Sequence, residues 1–352
     1  MTARAPRWLG GLAVALLAGV TGLAVWMTHR PARRLVARRE PAGVMGTETH
    51  LMAVGAPDGT ERLGPALDAA EAALRRVEAR MSRHIAASEI GRLNTAGAGQ
   101  LIGVSPETTE VLRRSRALWG ATGGAFDVTC LPLLRLWAKA RRAGRVPSPD
   151  ELAAARAASR WADFSMVNNG VLKHRGSACV DLGGIAKGWA IDAAAEAMRD
   201  AGAVGGLIDV GGDLRCFGRP PEGGRWLIAV RNPFGGAPIA ELRLSGGAVC
   251  TSAHYARGST VAGVRYSHIV NPRDGRALRA DRAPASVTVV APEATAADVW
   301  ATALSVLGTD GLARLPDGVE AMVVTGSPDD YNIRRTPGLE PLLVSPTRAP
   351  DE

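Results

Sequence analysis

The chain has 352 residues, 46% of them apolar and 22% charged, an ordinary globular composition with enough length for a sizeable core in one large or two modest domains. The formal net charge is +8, but no basic stripe with interleaved aromatics accompanies it, which argues against nucleic acid as a partner. Cys130, Cys179, Cys216 and Cys250 form no CxxC pair and show no metal-type spacing, so they read as small packing groups and not as a thiolate metal centre.

Arg4 and Arg7 precede an uncharged run from Trp8 to Met27, about the length that crosses a bilayer. No A-x-A cleavage site follows it, so a signal anchor is the better reading and a cleaved signal peptide the alternative. Arg30, Arg33, Arg34, Arg38 and Arg39 come next, and the positive-inside rule would hold them in the cytoplasm. Residues 29–42 read as a basic linker, 43–345 as the folded part and 346–352 as a tail.

Thr47, His50 and Met52 begin a strand-like segment. The stretch LGPALDAAEAALRRVEARMSRH repeats apolar residues at helical spacing. A second helix follows Ser105 as N-cap and stops at Gly123-Gly124. A third opens with a capping pattern at Ser148. At Gly123-Gly124, before Asp127, the sequence allows a close backbone approach to a ligand or simply a helix stop and the start of a strand. FSMVNNGVLKHRGSACVDLGG has the pattern of a hairpin turning at Asn169-Gly170. Residues 188–201 are helical in pattern. GGLIDVGGDLRCFG, RWLIAVRNP, IAELRLSGGAVCTS and ASVTVVAP read as strands, and ATAADVWATALSVLG reads as a helix. Strands and helices cluster instead of alternating, which favours an α+β fold over a doubly wound parallel sheet.

Few positions carry chemistry by themselves. Asp298 and Thr302 stand four apart on a helix and share a face. A carboxylate and a hydroxyl are hard oxygen ligands that suit Mg²⁺, although an acid early in a helix is also a favourable dipole partner. His268 ends a strand before Asn271-Pro272 and Asp274-Gly275, where it can serve as a general base or as a satisfied imidazole. Asp181 and Lys187 bracket two glycines at the mouth of a helix, a place suited to a phosphorylated ligand or to a plain strand-to-helix turn. Asp127 follows two glycines. His84, Ser88 and Glu89 follow a helix and also suit a capping loop. Thr251, Ser252, His254 and Tyr255 suit an ordinary polar loop.

Taken in order, VMGT (44–47), MSRHIAASEIGRLN (81–94), TGGAFDVTCLPLLRLW (122–137), VDLGGIAKGWAID (180–192), LIDVGGDLRCFG (207–218), AVCTSAHYARG (248–258), SHIVNPRDGR (267–276) and ATAADVWATALSVLG (294–308) resemble the ApbE family of FAD:protein FMN transferases. The resemblance covers nearly everything after the linker. It implies an α+β fold of the family's own type, with T-fold-like halves. It implies a Mg²⁺-dependent enzyme that splits FAD and attaches FMN to a Thr or Ser hydroxyl of a target protein, with release of AMP. By resemblance, Met45, His84, Ala125, Phe126, Asp127, Asp181, Lys187 and Ile269 bind FAD. Gly184, through its carbonyl, would hold Mg²⁺ with Asp298 and Thr302, and His268 would be the general base. With the N-terminal run, the resemblance also implies a membrane-tethered, extracytoplasmic catalytic domain.

Three positions depart from the family's wording. His84 stands where a tyrosine is usual, which offers the flavin less stacking area. Ala253 stands for a glycine, a strained choice if the backbone needs positive φ there. Asn271 stands for an aspartate. An FAD pyrophosphatase giving FMN and AMP, and a flavin-binding protein without catalysis, are the competing readings.

Overall fold

The computed structural model describes residues 34–56, 63–168, 170–253 and 258–344. The run from Trp8 to Met27, Asn169, His254, Tyr255 and the 346–352 tail lie outside the described residues. Among the described residues no helix is long and apolar enough to cross a membrane.

In chain order the elements are β1 (Val36–Arg39), β2 (Thr49–Val54), α1 (Gly64–Met81), α2 (Glu89–Thr95), β3 (Gln100–Gly103), α3 (Pro106–Ala121), α4 (Leu131–Ala143), α5 (Pro149–Ala157), β4 (Phe164–Val167) and β5 (Gly170–Lys173). They continue with α6 (Ala186–Asp200), β6 (Gly205–Val210), β7 (Asp213–Phe217), β8 (Trp226–Val230), β9 (Ala240–Leu244), β10 (Gly247–Ala253), β11 (Ser259–Val261), β12 (Val264–Val270) and β13 (Ala277–Arg279). The last are β14 (Ser286–Ala291), α7 (Ala294–Leu307), β15 (Glu320–Ser327) and β16 (Asp330–Arg335).

The main sheet runs β1-β2-β6-β7-β10-β14-β15-β16, and every pairing in it is antiparallel. Its two faces are buried differently. Leu51, Ile208, Cys250, Val287 and Val289 face the helical core of α1, α6 and α7. Leu214, Cys216, Val249, Val290 and Val324 face the β8–β9 hairpin, through Trp226, Ile228, Leu242 and Leu244. Strand β14 is therefore buried at all six positions, as expected of a strand covered on both faces. A smaller sheet, β11-β12-β13, packs on α4 through Trp137 and Tyr266, whose ring centroids lie 5.0 Å apart. The α+β expectation holds.

Three expectations are corrected. Residues 36–39 belong to the sheet and not to a linker, because β1 pairs with β2 in register from Val36↔Val54 to Arg39↔Leu51. The segment after Asp127 is a helix: Asp127 caps a 3-10 turn, Val128–Cys130, that runs directly into α4, with Gly144 at φ 66 closing it. The hairpin turns one residue early, since Val167 pairs with Gly170 and Gly170 is already strand. The caps at Ser105 and Ser148 are as read, the latter a full capping box with Glu151.

Helices α6 and α7 meet backbone to backbone at Gly188. A Cβ there would overlap the carbonyl of Ala294 and stand 2.8 Å from the Thr295 Cα. One turn on, Asp192 accepts from Ala294 N, Thr295 N and the Thr295 hydroxyl at 2.6–2.8 Å. An acid on one helix thus caps the N-terminus of the other and meets its positive dipole end.

Gly188→Ala should therefore cost about 3 kcal/mol or more, at or beyond the upper end of overpacking penalties; urea denaturation checks it, and a loss under ~1 kcal/mol would show that the helices yield easily. Burial pushes the Asp127 carboxyl up to about 6, against the N–H and hydroxyl of Thr129 that it accepts at 2.8 Å. The native state then holds this proton more tightly than the unfolded chain, so its contribution to stability falls as pH rises from about 4 to about 6. Asp127→Asn removes that dependence. Its stability relative to the parent should rise by about 2–3 kcal/mol between pH 4 and 7, whereas parallel stability profiles would show that Asp127 ionises freely.

Candidate functional site

The mouth of α6 gathers the sequence-predicted groups. Gly184 lies directly against Phe126 and Thr302, since a Cβ built on it would stand 3.3 Å from the Phe126 ring and 3.4 Å from Thr302 Oγ1. Ala125 and Phe126 are buried, and Phe126 N donates to the Thr122 hydroxyl. One turn before Thr302, Asp298 is 5% exposed and accepts from Gly188 N at 3.0 Å through Oδ2. The close approach at Gly188 is what lets that carboxylate reach the first turn of α6.

The donor set suits a hard cation. Ser305, on the same helix, spends its hydroxyl on the carbonyl four residues back, the usual local use of such a group. Among the described residues Thr302 Oγ1 makes no hydrogen bond, and neither does Asp298 Oδ1, so both keep lone pairs open beside the Gly184 backbone. One carboxylate, one hydroxyl and one main-chain carbonyl, with remaining positions left to water and phosphate, is an oxygen set of the Mg²⁺ kind. It contains a single acid, and no group of three or more His, Cys, Asp or Glu side chains fit for a metal occurs among the described residues.

Lys187 contacts Asp213 directly. Asp213 is 3% exposed and also accepts from Thr251 N at 2.8 Å. Burial works against the Lys187 ammonium, but Asp213 and Asp298 outweigh it and hold its pKa above the ordinary lysine range. Burial raises the Asp298 carboxyl, and Lys187 pulls it back. Asp213 received no role from the sequence; its signal was its place straight after a Gly-Gly turn between two strands.

Asp181 is ion-paired with Arg83 at 2.9 Å and accepts from Gly183 N, while its own N–H donates to Val128 O. That pair brings the exposed His84 loop to the same turn. Arg83 is a second group that sequence reasoning passed over. Met45 sits at φ 50, followed by Gly46 at φ 67, in a tight turn closed by Thr47 N to Val44 O. A non-glycine in the left-handed region is uncommon and marks a backbone held by its surroundings. Here Thr47 packs so closely on Gly211 that no Cβ fits there, which ties the Met45 turn to the β6–β7 turn just before Asp213.

His268 and Ile269 come from β12, in the other sheet. His268 is half-buried and Ile269 buried, between the Tyr266↔Arg279 and Val270↔Ala277 pairings where the register shifts. Strand β12 packs against α7, which brings the histidine strand to the helix bearing Asp298 and Thr302. The concern over Ala253 is corrected: it ends β10 in register with Ser286 and is not a positive-φ residue. Asn271 is a turn former, its amide oxygen accepting from Arg273 N at 3.0 Å.

The ApbE family model matches residues 45–323. The FAD:protein FMN transferase of Vibrio cholerae is 31% identical over 77% of this chain and 82% of its own length; that of Escherichia coli is 29% identical over 69% and 71%. The crystal structure of Pseudomonas stutzeri flavinyl transferase ApbE, apo form, superimposes with a TM-score of 0.77 at 27% identity, covering 89% of this chain and 98% of that one. The ApbE protein of Thermotoga maritima gives 0.76 at 28% identity over 90% and 100%. With the fold, the α6 mouth and these matches in agreement, the chain belongs to the ApbE family of transferase enzymes.

Proposed function

We propose that this chain transfers the FMN moiety of FAD to a Thr or Ser hydroxyl of a target protein and releases AMP, with Mg²⁺ required. The observation that carries the reading is the convergence of the Gly184 backbone, the unbonded Thr302 hydroxyl and Asp298 beside a lysine fixed by Asp213. Gly184, Asp298 and Thr302 would hold Mg²⁺, which supplies neutralisation of the diphosphate charge when bound. Lys187 presents a positive charge to the same diphosphate, oriented in advance by its buried partner. Met45, Ala125, Phe126, Asp127, Asp181, Ile269 and His84 would hold the rest of FAD.

In the transfer, the acceptor oxygen attacks the FMN-side phosphorus. The bond from that phosphorus to the AMP oxygen breaks, and AMP departs with the electron pair. His268 takes the acceptor's proton, because a neutral hydroxyl is a poor nucleophile. We further place the catalytic domain on the extracytoplasmic side of the cytoplasmic membrane, tethered through the apolar run from Trp8 to Met27; protease digestion of intact spheroplasts would leave it whole if that side is wrong.

The test incubates full-length protein with FAD, Mg²⁺ and a threonine-containing acceptor domain and weighs the acceptor. A flavin-sized mass gain that chelator blocks is expected; free FMN and AMP without a gain would replace transfer by hydrolysis. Asp298→Ala should abolish Mg²⁺-dependent turnover while FAD still binds. His268→Ala should slow transfer about 10²–10⁴-fold with FAD affinity little changed. Unchanged turnover in the first, or lost FAD binding in the second, would overturn that residue's role.

A further inference from the structure

We propose that Trp119, Arg273 and Arg314 form a docking surface for an acidic segment of the acceptor protein, the residues that flank its flavin-accepting hydroxyl. The inference rests on the transferase reading above. The three side chains come from the last turn of α3, the turn after β12 and the 3-10 segment Gly308–Arg314. They meet over Gly123-Gly124, at φ 60 and φ 75. A Cβ on Gly123 would stand 3.3 Å from Arg314 Nη1, and one on Gly124 would stand 3.5 Å from Trp119 Nε1 and 3.8 Å from Arg273 Cγ.

The cluster adjoins the chemistry on two sides. Two residues after Gly124, the ring of Phe126 lies on Gly184. Arg273 stands five residues beyond His268 on the same chain segment. An acceptor hydroxyl is part of a polypeptide, so its neighbours in sequence must cross the surface next to the reacting phosphorus.

The chemistry of the cluster selects the partner. Trp119 is 40% exposed, and both arginines are exposed. All three side chains offer donors and no acceptor. Some exposed arginines are compensated, as Arg113 is by Glu110 and Arg145 by Glu151. Among the described residues neither Arg273 nor Arg314 has a carboxylate partner; Arg273 Nε donates only to the neutral Asn271 amide oxygen, at 3.4 Å. Two uncompensated guanidiniums fit carboxylates bidentately, and an exposed tryptophan beside arginines is the composition of a binding hot spot.

Two labelled peptides test this on the full-length protein with FAD and Mg²⁺. Each carries one threonine, flanked by Asp and Glu in one peptide and by Asn and Gln in the other, and both fluorescence anisotropy and peptide mass are read. The acidic peptide should bind at least about tenfold more tightly at low salt, with the advantage shrinking as salt rises. The Arg273→Gln/Arg314→Gln double variant should lose the preference, and Trp119→Ala should weaken both peptides, with FAD affinity unchanged throughout. Equal affinity for the two peptides, failure of both to bind, or a preference that survives in the double variant would overturn the proposal. So would a fall in FAD affinity in the double variant, since the guanidiniums would then serve the nucleotide. Binding of the acidic peptide without a mass gain on it or on the acceptor domain would support the surface and refute transfer, so the two readings fail separately.

Discussion

The close packing of α6 on the start of α7 is the constraint on which the rest of the site depends. Only glycine at 188 lets the two backbones approach, because any side chain there would run into Ala294 and Thr295. Two carboxylates then bridge the helices in opposite senses. Asp192 on α6 caps α7, and Asp298 on α7 accepts the Gly188 N–H of α6. Each satisfies an N–H of a helix first turn that has no intrahelical partner. The carboxylate facing a cation would therefore be held by the same contacts that hold the helices together, and its position is a property of the core and not of a mobile loop.

The charges around this junction are balanced in a particular way. Asp213 contacts Lys187, and Arg215 pairs with Asp192 at 3.0 Å. Among the described residues Asp298 has no cation in contact, only the Gly188 N–H and the field of Lys187. Burying a carboxylate without a partner is costly, and the raised pKa of Asp298 expresses that cost. A divalent cation bound beside it would remove that penalty. Asp213, tied to the sheet through Thr251 N, holds the Lys187 ammonium in direct contact.

Much of this was legible in the sequence, for reasons that are local. The Ser105 and Ser148 caps and the helix that carries Asp298 and Thr302 rest on neighbours within a turn or two, so spacing finds them. Strand β1 was not legible, because Val36–Arg39 becomes a strand only by pairing with β2, and its arginines read as linker. Helix α4 was missed because its start depends on a half-buried Asp127 capping a 3-10 turn, and the glycines before it also allowed a strand start. Arg83 and Asp213 were missed because their partners, Asp181 and Lys187, lie far away in sequence. Single residues in a pattern cannot announce a partner that the fold supplies.

The departures at 84, 253 and 271 look alike as sequence but differ physically. Ala253 is a residue in an extended strand with a paired neighbour, so the alanine meets no backbone demand that only glycine satisfies. His84 is exposed, and its neighbour Arg83 pairs with Asp181, so any effect of the histidine would fall on the edge of the α6 mouth. Asn271 is the consequential one. Its amide oxygen performs the turn-forming work that an aspartate oxygen would do, accepting from Arg273 N. The same oxygen also lies 3.4 Å from Arg273 Nε. An aspartate in that place would compensate the guanidinium, whereas the neutral amide leaves its full charge facing outward. The substitution that reads as a lost charge near His268 is, in the folded chain, an uncompensated positive charge on the rim across which an acceptor would have to enter.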